Sequence, residues 1–314
     1  MPVSIYRQSI THAWQLTWKN KTLWILGLLS VFLGEFGLNN FAGQILQPNM
    51  PSIKYIMPLS QVPDAKTAIG LIWIMLILCG LGILIILAAT IAEGALIFAA
   101  ANWYKKNSVP SSDQLWKRGV ISFWKVLTIN IISKVLLAGL ATGGWCIWIK
   151  ITLLGGSLAG WLSVLLMSVE IFLALTVACI TIFSLCYAVV GGNNLWHSIK
   201  RGSQLFKEHV LVSLELSIVL FVLNIFLLLV ILVFAAFAFI PSLFIWLIAA
   251  VTGQTWLILV GLFTGWILLI LFIAIAGAIF NTFSTSAWVY FFMKMHHEGI
   301  LSRIIHHVKK IFRK

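Results

Sequence analysis

Among the polar residues inside long apolar runs of this chain, Glu93, Lys134, Glu170, Glu215 and Asn281 are the ones whose type and depth could do chemistry. An isolated charge at the centre of a membrane span costs about 2.5 to 3.5 kcal/mol, so each of these groups needs a partner or contact with water. Two chemistries follow. A carboxylate and an ammonium held together form an ion pair that fixes helix register. Left accessible, the same groups line a path for an ion or a small polar solute. Counted inward from Trp103, Lys125 and Lys207 at about 1.5 Å per residue, Glu93, Lys134 and Glu215 lie roughly 12 to 15 Å deep. Asn281 shares that level. We therefore expect one polar layer in the inner leaflet, with Lys134 neutralised by Glu93 or Glu215, and with Glu170 and Glu35 nearer the outer half. A cavity reaching Lys134 would favour a carrier, and a dry, packed layer a scaffold.

Other chemistries lack their residues. His296, His297 and Glu298 precede His306 and His307, but Leu301 stands where H-E-x-x-H needs its second histidine. A charged surface helix accounts for them, and no metal is expected. No nucleophile elbow, Walker loop or dinucleotide fingerprint occurs, so neither an enzyme nor a cofactor is expected. Cys79, Cys146, Cys179 and Cys186 lie in or beside apolar runs without ligand spacing, and read as free, small apolar side chains. The net charge of +13 does not indicate nucleic acid, because the cations sit at the ends of apolar runs rather than among aromatic residues in one patch.

The elements that position the polar layer follow from composition and charge order. With 61% hydrophobic and 9% charged residues, the chain is far from soluble usage. Six runs reach the length of a span, near 22–38, 68–101, 126–149, 158–190, 209–240 and 256–292. Lys and Arg crowd alternate connections: Arg7, Lys19 and Lys21, then Lys105 to Lys125, then Lys200 to Lys207, then the tail from Lys294. Cations are retained on the cytoplasmic side, so both termini are expected inside. Residues 242–254 are apolar but too few to cross, and follow Pro241; they are expected as an external interfacial or re-entrant piece. Trp145, Trp148, Trp161 and Trp256 would mark the outer boundary, and Trp18, Trp103, Trp124 and Trp288 the inner one.

A weak threefold repeat runs through the inner connections: SIYRQSITHAWQLTWK from Ser4, LWKRGVISFWK from Leu115 and LWHSIKRGSQLFK from Leu195. The K-R-G triplets and the aromatic-Lys pairs match, although their separation differs by one residue and the first copy lacks the glycine. The expected fold is all-α: a polytopic transmembrane bundle of six spans, arranged as three same-orientation hairpins, each led by a short cytoplasmic amphipathic helix. Glycine pairs at Gly139 and Gly143, Gly156 and Gly160, and Gly261 and Gly265 suit close helix packing within the monomer. Thr282, Ser284, Thr285 and Ser286 suit a local bend through hydroxyl bonds to the backbone. Residues 1–297 form the transmembrane domain. Residues 298–314 form a basic amphipathic helix whose Arg303, Lys309, Lys310, Arg313 and Lys314 could meet anionic lipid headgroups on the cytoplasmic side.

The opening AWQLTWKNKTLWILGLL, the three hairpins and the FSTSAWVYFF ending resemble a loose group of six-span bacterial inner-membrane proteins. That group includes the membrane domain preceding the catalytic domain of some glycerophosphodiester phosphodiesterases. The resemblance implies a helical bundle in the bacterial cytoplasmic membrane and, for most members, no established activity. No soluble catalytic domain is expected after residue 314, so nothing of that active site carries over. The expected function is non-enzymatic, as a scaffold or lipid-handling protein; the alternative is a small-solute or ion carrier using the polar layer. Membrane lipids are the expected partners, and the sequence names no protein partner.

Overall fold

A computed structural model describes residues 5–31, 65–154 and 156–298, all within or between helices. In chain order these are α1 (Ile5–Lys19), α2 (Leu23–Val31), α3 (Ala65–Lys106), α4 (Ser112–Leu154), α5 (Gly156–Val189), α6 (Leu195–Glu208), α7 (Val210–Ala238), α8 (Ile240–Thr252) and α9 (Trp256–Glu298). Five stretches are long and apolar enough to cross a bilayer: Ile72–Lys106, Ser112–Leu153, Ala159–Val189, Val210–Thr252 and Trp256–His296. The described residues are thus all-helical, and the protein is of the integral membrane type. Of the expected first span, only the part within α2 belongs to the described residues.

The three lead-in segments bury their residues in one rhythm. Ser9, Ala13, Leu16, Leu23 and Gly27 are buried in the first; Leu115, Gly119, Ser122, Ile129 and Ser133 in the second; Ser198, Gly202, Leu205, Val212 and Leu216 in the third. The intervals are the same in every copy, and steps of four, three and seven residues are those of a continuous helical seam. The phase holds even though α1 gives way to α2 across Asn20–Thr22 and α6 to α7 at His209. It also accounts for the one-residue mismatch between the K-R-G and aromatic-Lys pairs. The buried seam keeps step while the third lysine shifts around the helix. In the second copy no break occurs, so the lead-in helix and its span are one helix, α4.

Each seam lies on a long helix through a point of close approach. A Cβ on Gly119 would strike the Ile91 carbonyl of α3, and one on Gly202 would meet Ser184 of α5. Gly27 of α2 lies against Ala278 and Thr282 of α9, which closes the circuit from the last helix back to the first. Thr282 Oγ1, which donates to the Ala278 carbonyl of its own helix at 2.8 Å, lies 3.3 Å from the Leu23 carbonyl, and Asn281 Nδ2 donates to Ser30 Oγ at 2.7 Å and to the Gly27 carbonyl at 3.2 Å. The core gathers at the basic end of the bundle, around Leu16, Leu96, Phe183, Leu216 and Phe291. Toward the other end, α3, α5, α7 and α9 expose apolar side chains on nearly all faces, as helices do in lipid.

The 242–254 segment does not fold away from its neighbours. Phe234 stacks on Phe272 at 3.6 Å, Gly265 abuts Phe239 and Ser242, and Trp246 Nε1 donates to the Ile258 carbonyl at 3.0 Å. These pairs keep one antiparallel register, so α8 extends α7 along α9 up to the left-handed turn at Gly253. Pro241 sits in the first turn of α8, where its missing N–H removes no helical bond. Among the described residues of the three glycine pairs, Gly261 and Gly265 pack within the chain. Gly139, Gly143 and Gly160 have no neighbouring atom within 4 Å of an added Cβ, so the expectation of internal packing fails there.

Two of the tryptophans expected at the inner boundary are packed into the core rather than exposed to lipid. Trp103 and Trp288 are 8% and 9% exposed, whereas Trp124 is 74% exposed. Along α4, Trp124 and the exposed Trp145 are about 21 residues apart. At 1.5 Å per residue that is roughly 32 Å, close to the thickness of a hydrocarbon core.

Candidate functional site

Where the packed basic end gives way to the lipid-facing half, five helices leave a cavity of about 200 Å³. Three of the residues expected in the polar layer line it: Glu93 from α3, Lys134 from α4 and Asn281 from α9. Trp103, the reference for the depth of Glu93, packs in the core with the Lys19 ammonium over its ring. Gly94 packs against Ser122, so the Glu93 backbone stands near the level of Trp124 and its side chain reaches deeper. Asn130 Nδ2 donates to Glu93 Oε2 at 2.6 Å, and the Lys134 ammonium acts electrostatically on the same carboxylate.

Residues not singled out from the sequence complete the lining. Ser133 accepts from Thr181 Oγ1 at 2.9 Å, joining α4 to α5, and Ser217 Oγ lies 3.1 Å from Cys179 Sγ, joining α7 to α5. Asn224, Ser284 and Thr285 also face the cavity, and make no side-chain hydrogen bond with another described residue. A trace of them existed in the sequence: Asn130, Ser133 and Lys134 fall on one face of α4. Small hydroxyls and amides are common in spans, however, and only the packing separates those that face a cavity from those that bond their own helix. Thr282 and Ser286 are of the second kind, donating to the carbonyls of Ala278 and Thr282.

The remaining candidates lie elsewhere. Glu170 is not brought to the layer. Its carboxyl packs on α4 where a Cβ at Gly144 would overlap it, and its Oε1 is buried with no hydrogen-bond partner among the described residues. Glu215 is half-buried on α7 and is not part of the lining, where Ser217, Leu220, Phe221 and Asn224 represent that helix. Asn281 is turned largely toward α2, so it both borders the cavity and clamps the first helices. Glu35 and the tail residues Arg303, Lys309, Lys310, Arg313 and Lys314 lie outside the described residues.

The cavity could hold about six waters at some 30 Å³ each, or one small polar group. It is smaller than the usual range of pockets for whole organic ligands, about 300 to 1,000 Å³. On one side its wall is thin. α5 and α7 touch only lightly, and the half-exposed Leu175 and Ala178 face Leu220 and the exposed Phe221 across it. The chain matches no family model, no curated protein and no solved structure.

Proposed function

We propose that this chain is a non-enzymatic protein of the bacterial cytoplasmic membrane that handles lipid, taking the polar head of an amphiphile into its intramembrane cavity. In this reading it has six spans as three same-orientation hairpins, with both termini in the cytoplasm, and the span beginning at Leu23 is the first. The observation that carries the reading is the cavity itself: a carboxylate, an ammonium and several hydroxyl and amide groups, beside a lightly closed gap between α5 and α7. Polar groups at that depth lower their free energy by binding water or a polar ligand. A volume of about 200 Å³ suits a head group whose tails remain in the bilayer. The presence of both Glu93 and Lys134 favours a head group carrying both signs of charge.

The test is thermal stability of the delipidated protein in detergent after adding back phosphatidylethanolamine or diacylglycerol with the same acyl chains. The zwitterionic lipid should raise the melting temperature, and Lys134→Met should abolish the difference. Equal shifts from both lipids would remove the head-group reading. The same charges and space also support a second reading, a small-solute or ion carrier. Solute flux into proteoliposomes that depends on Lys134 distinguishes it.

A further inference from the structure

A second cavity, of about 240 Å³, opens at the basic end of the bundle, where the ends of α3, α5 and α9 meet the start of α6. Its floor is the ring of Phe292 and the buried Tyr187, whose hydroxyl lies 3.5 Å from His296 Nδ1. Its rim carries Lys105, Arg201, Asn193 and His296, each from a different element. No carboxylate lines it, although Glu208 of α6 acts electrostatically on Tyr187 against the opposing charge of Arg201. The fold fixes these groups independently of one another. Arg201 precedes Gly202, the glycine pressed onto Ser184, so its helix can sit close to α5. The 190–193 turn is held by Lys125, whose ammonium donates to the Gly192 carbonyl at 3.1 Å. His296 is stacked parallel to Phe292, with ring centroids 6.1 Å apart, and Tyr187 packs edge-on to both.

We propose that this cavity binds a phosphate group. A guanidinium, an ammonium, a carboxamide, an imidazole and a phenol line it, from five different segments of the chain. That suits a tetrahedral anion with three or four acceptor oxygens better than a planar carboxylate with two. Trp196, three residues after Asn193, is 76% exposed at the start of α6, as suits a side chain at a membrane surface. The phosphate can therefore belong to the head group of an anionic lipid or to a soluble compound. This site is separate from the intramembrane cavity and stands whether or not that cavity binds lipid.

The experiment uses the full chain in phosphatidylcholine nanodiscs. In one arm inorganic phosphate is titrated and followed by phosphorus NMR line broadening. In the other, the discs contain a minor fraction of phosphatidic acid and the shift in melting temperature is read. Saturable binding is expected in at least one arm, weakened at least about tenfold by Arg201→Gln and by Lys105→Gln, as for loss of a charged hydrogen bond. Lys117→Gln, which removes a cation from a different cavity at the same end, should leave it unchanged. A response to inorganic phosphate identifies a soluble ligand, and a response to phosphatidic acid alone a lipid. No saturable binding in either arm, or an equal loss in the Lys117 variant, would overturn the proposal. Lys105 is exposed on the rim, so its variant reads the site even if the Arg201 variant folds poorly.

Discussion

Lys134 and Glu93 share a cavity with Asn130, and removing the ammonium takes a neutralising charge from a carboxylate that accepts a hydrogen bond from Asn130 Nδ2. Lys134→Met should therefore lower stability in detergent by about 1 to 3 kcal/mol, less than for a fully buried pair because Lys134 is half-exposed. Adding Glu93→Gln should recover part of that loss. An unchanged denaturation midpoint in the single variant would show that the two charges are not coupled. His12 gives a pH dependence outside the spans. Its ring lies 4.5 Å from Tyr290 and 6.3 Å from Trp103 and Tyr104, and burial holds its pKa below the ordinary value. The folded state thus prefers the neutral ring. Its contribution is complete above the ordinary histidine pKa of about 6.5 and is lost as pH falls below it through the folded value. Melting temperatures between neutral and mildly acidic pH should fall for the wild type, and fall less for His12→Phe.

At the scale of elements, glycine means two different things in this chain. Gly27 lets α2 approach α9, where an added Cβ would meet Thr282 Oγ1 and the Ala278 carbonyl. Gly27→Ala must push backbone apart there and should cost about 1 to 3 kcal/mol, by the usual penalty for overpacking. Gly139 faces open space, so Gly139→Ala should be neutral or stabilise by up to about 1 kcal/mol through helix propensity. Denaturation of the two variants side by side checks this, and equal losses would contradict the packing described. Both glycines sit in apolar helices, and local sequence does not tell them apart. The lead-in segments are similar in this respect. Their cations and aromatics were legible as a repeat, while the breaks at Asn20–Thr22 and His209, and the absence of one in α4, depend on how each seam meets its neighbour.

For the whole molecule, the order of charges predicts one basic end, and the described ends of α3, α5 and α9 do gather there with the starts of α4 and α6. Reporter fusions at Gly119, Gly202 and Lys314 should all report a cytoplasmic position, and one at Gly253 the opposite side. A periplasmic reporter at Lys314 would remove the six-span topology. The sequence by itself determined that the chain is helical and membrane-embedded, because hydrophobic run length and composition act locally and need no knowledge of neighbours. It also marked Glu93 and Lys134, since charges in apolar runs are conspicuous wherever the chain goes, and Asn281 by its depth, while the amides Asn130 and Asn224 in similar runs passed unmarked. Tertiary structure alone decided that Glu93, Lys134 and Asn281 border one cavity while Glu170 packs on Gly144, that Trp103 and Trp288 pack into the core rather than face lipid, and that α8 continues the α7 arm. The physical reason is that helices apolar on nearly every face carry little information about rotation or partner. Which face meets which neighbour is settled by close packing at a few small residues, and those contacts join positions as distant in sequence as Gly27 and Asn281.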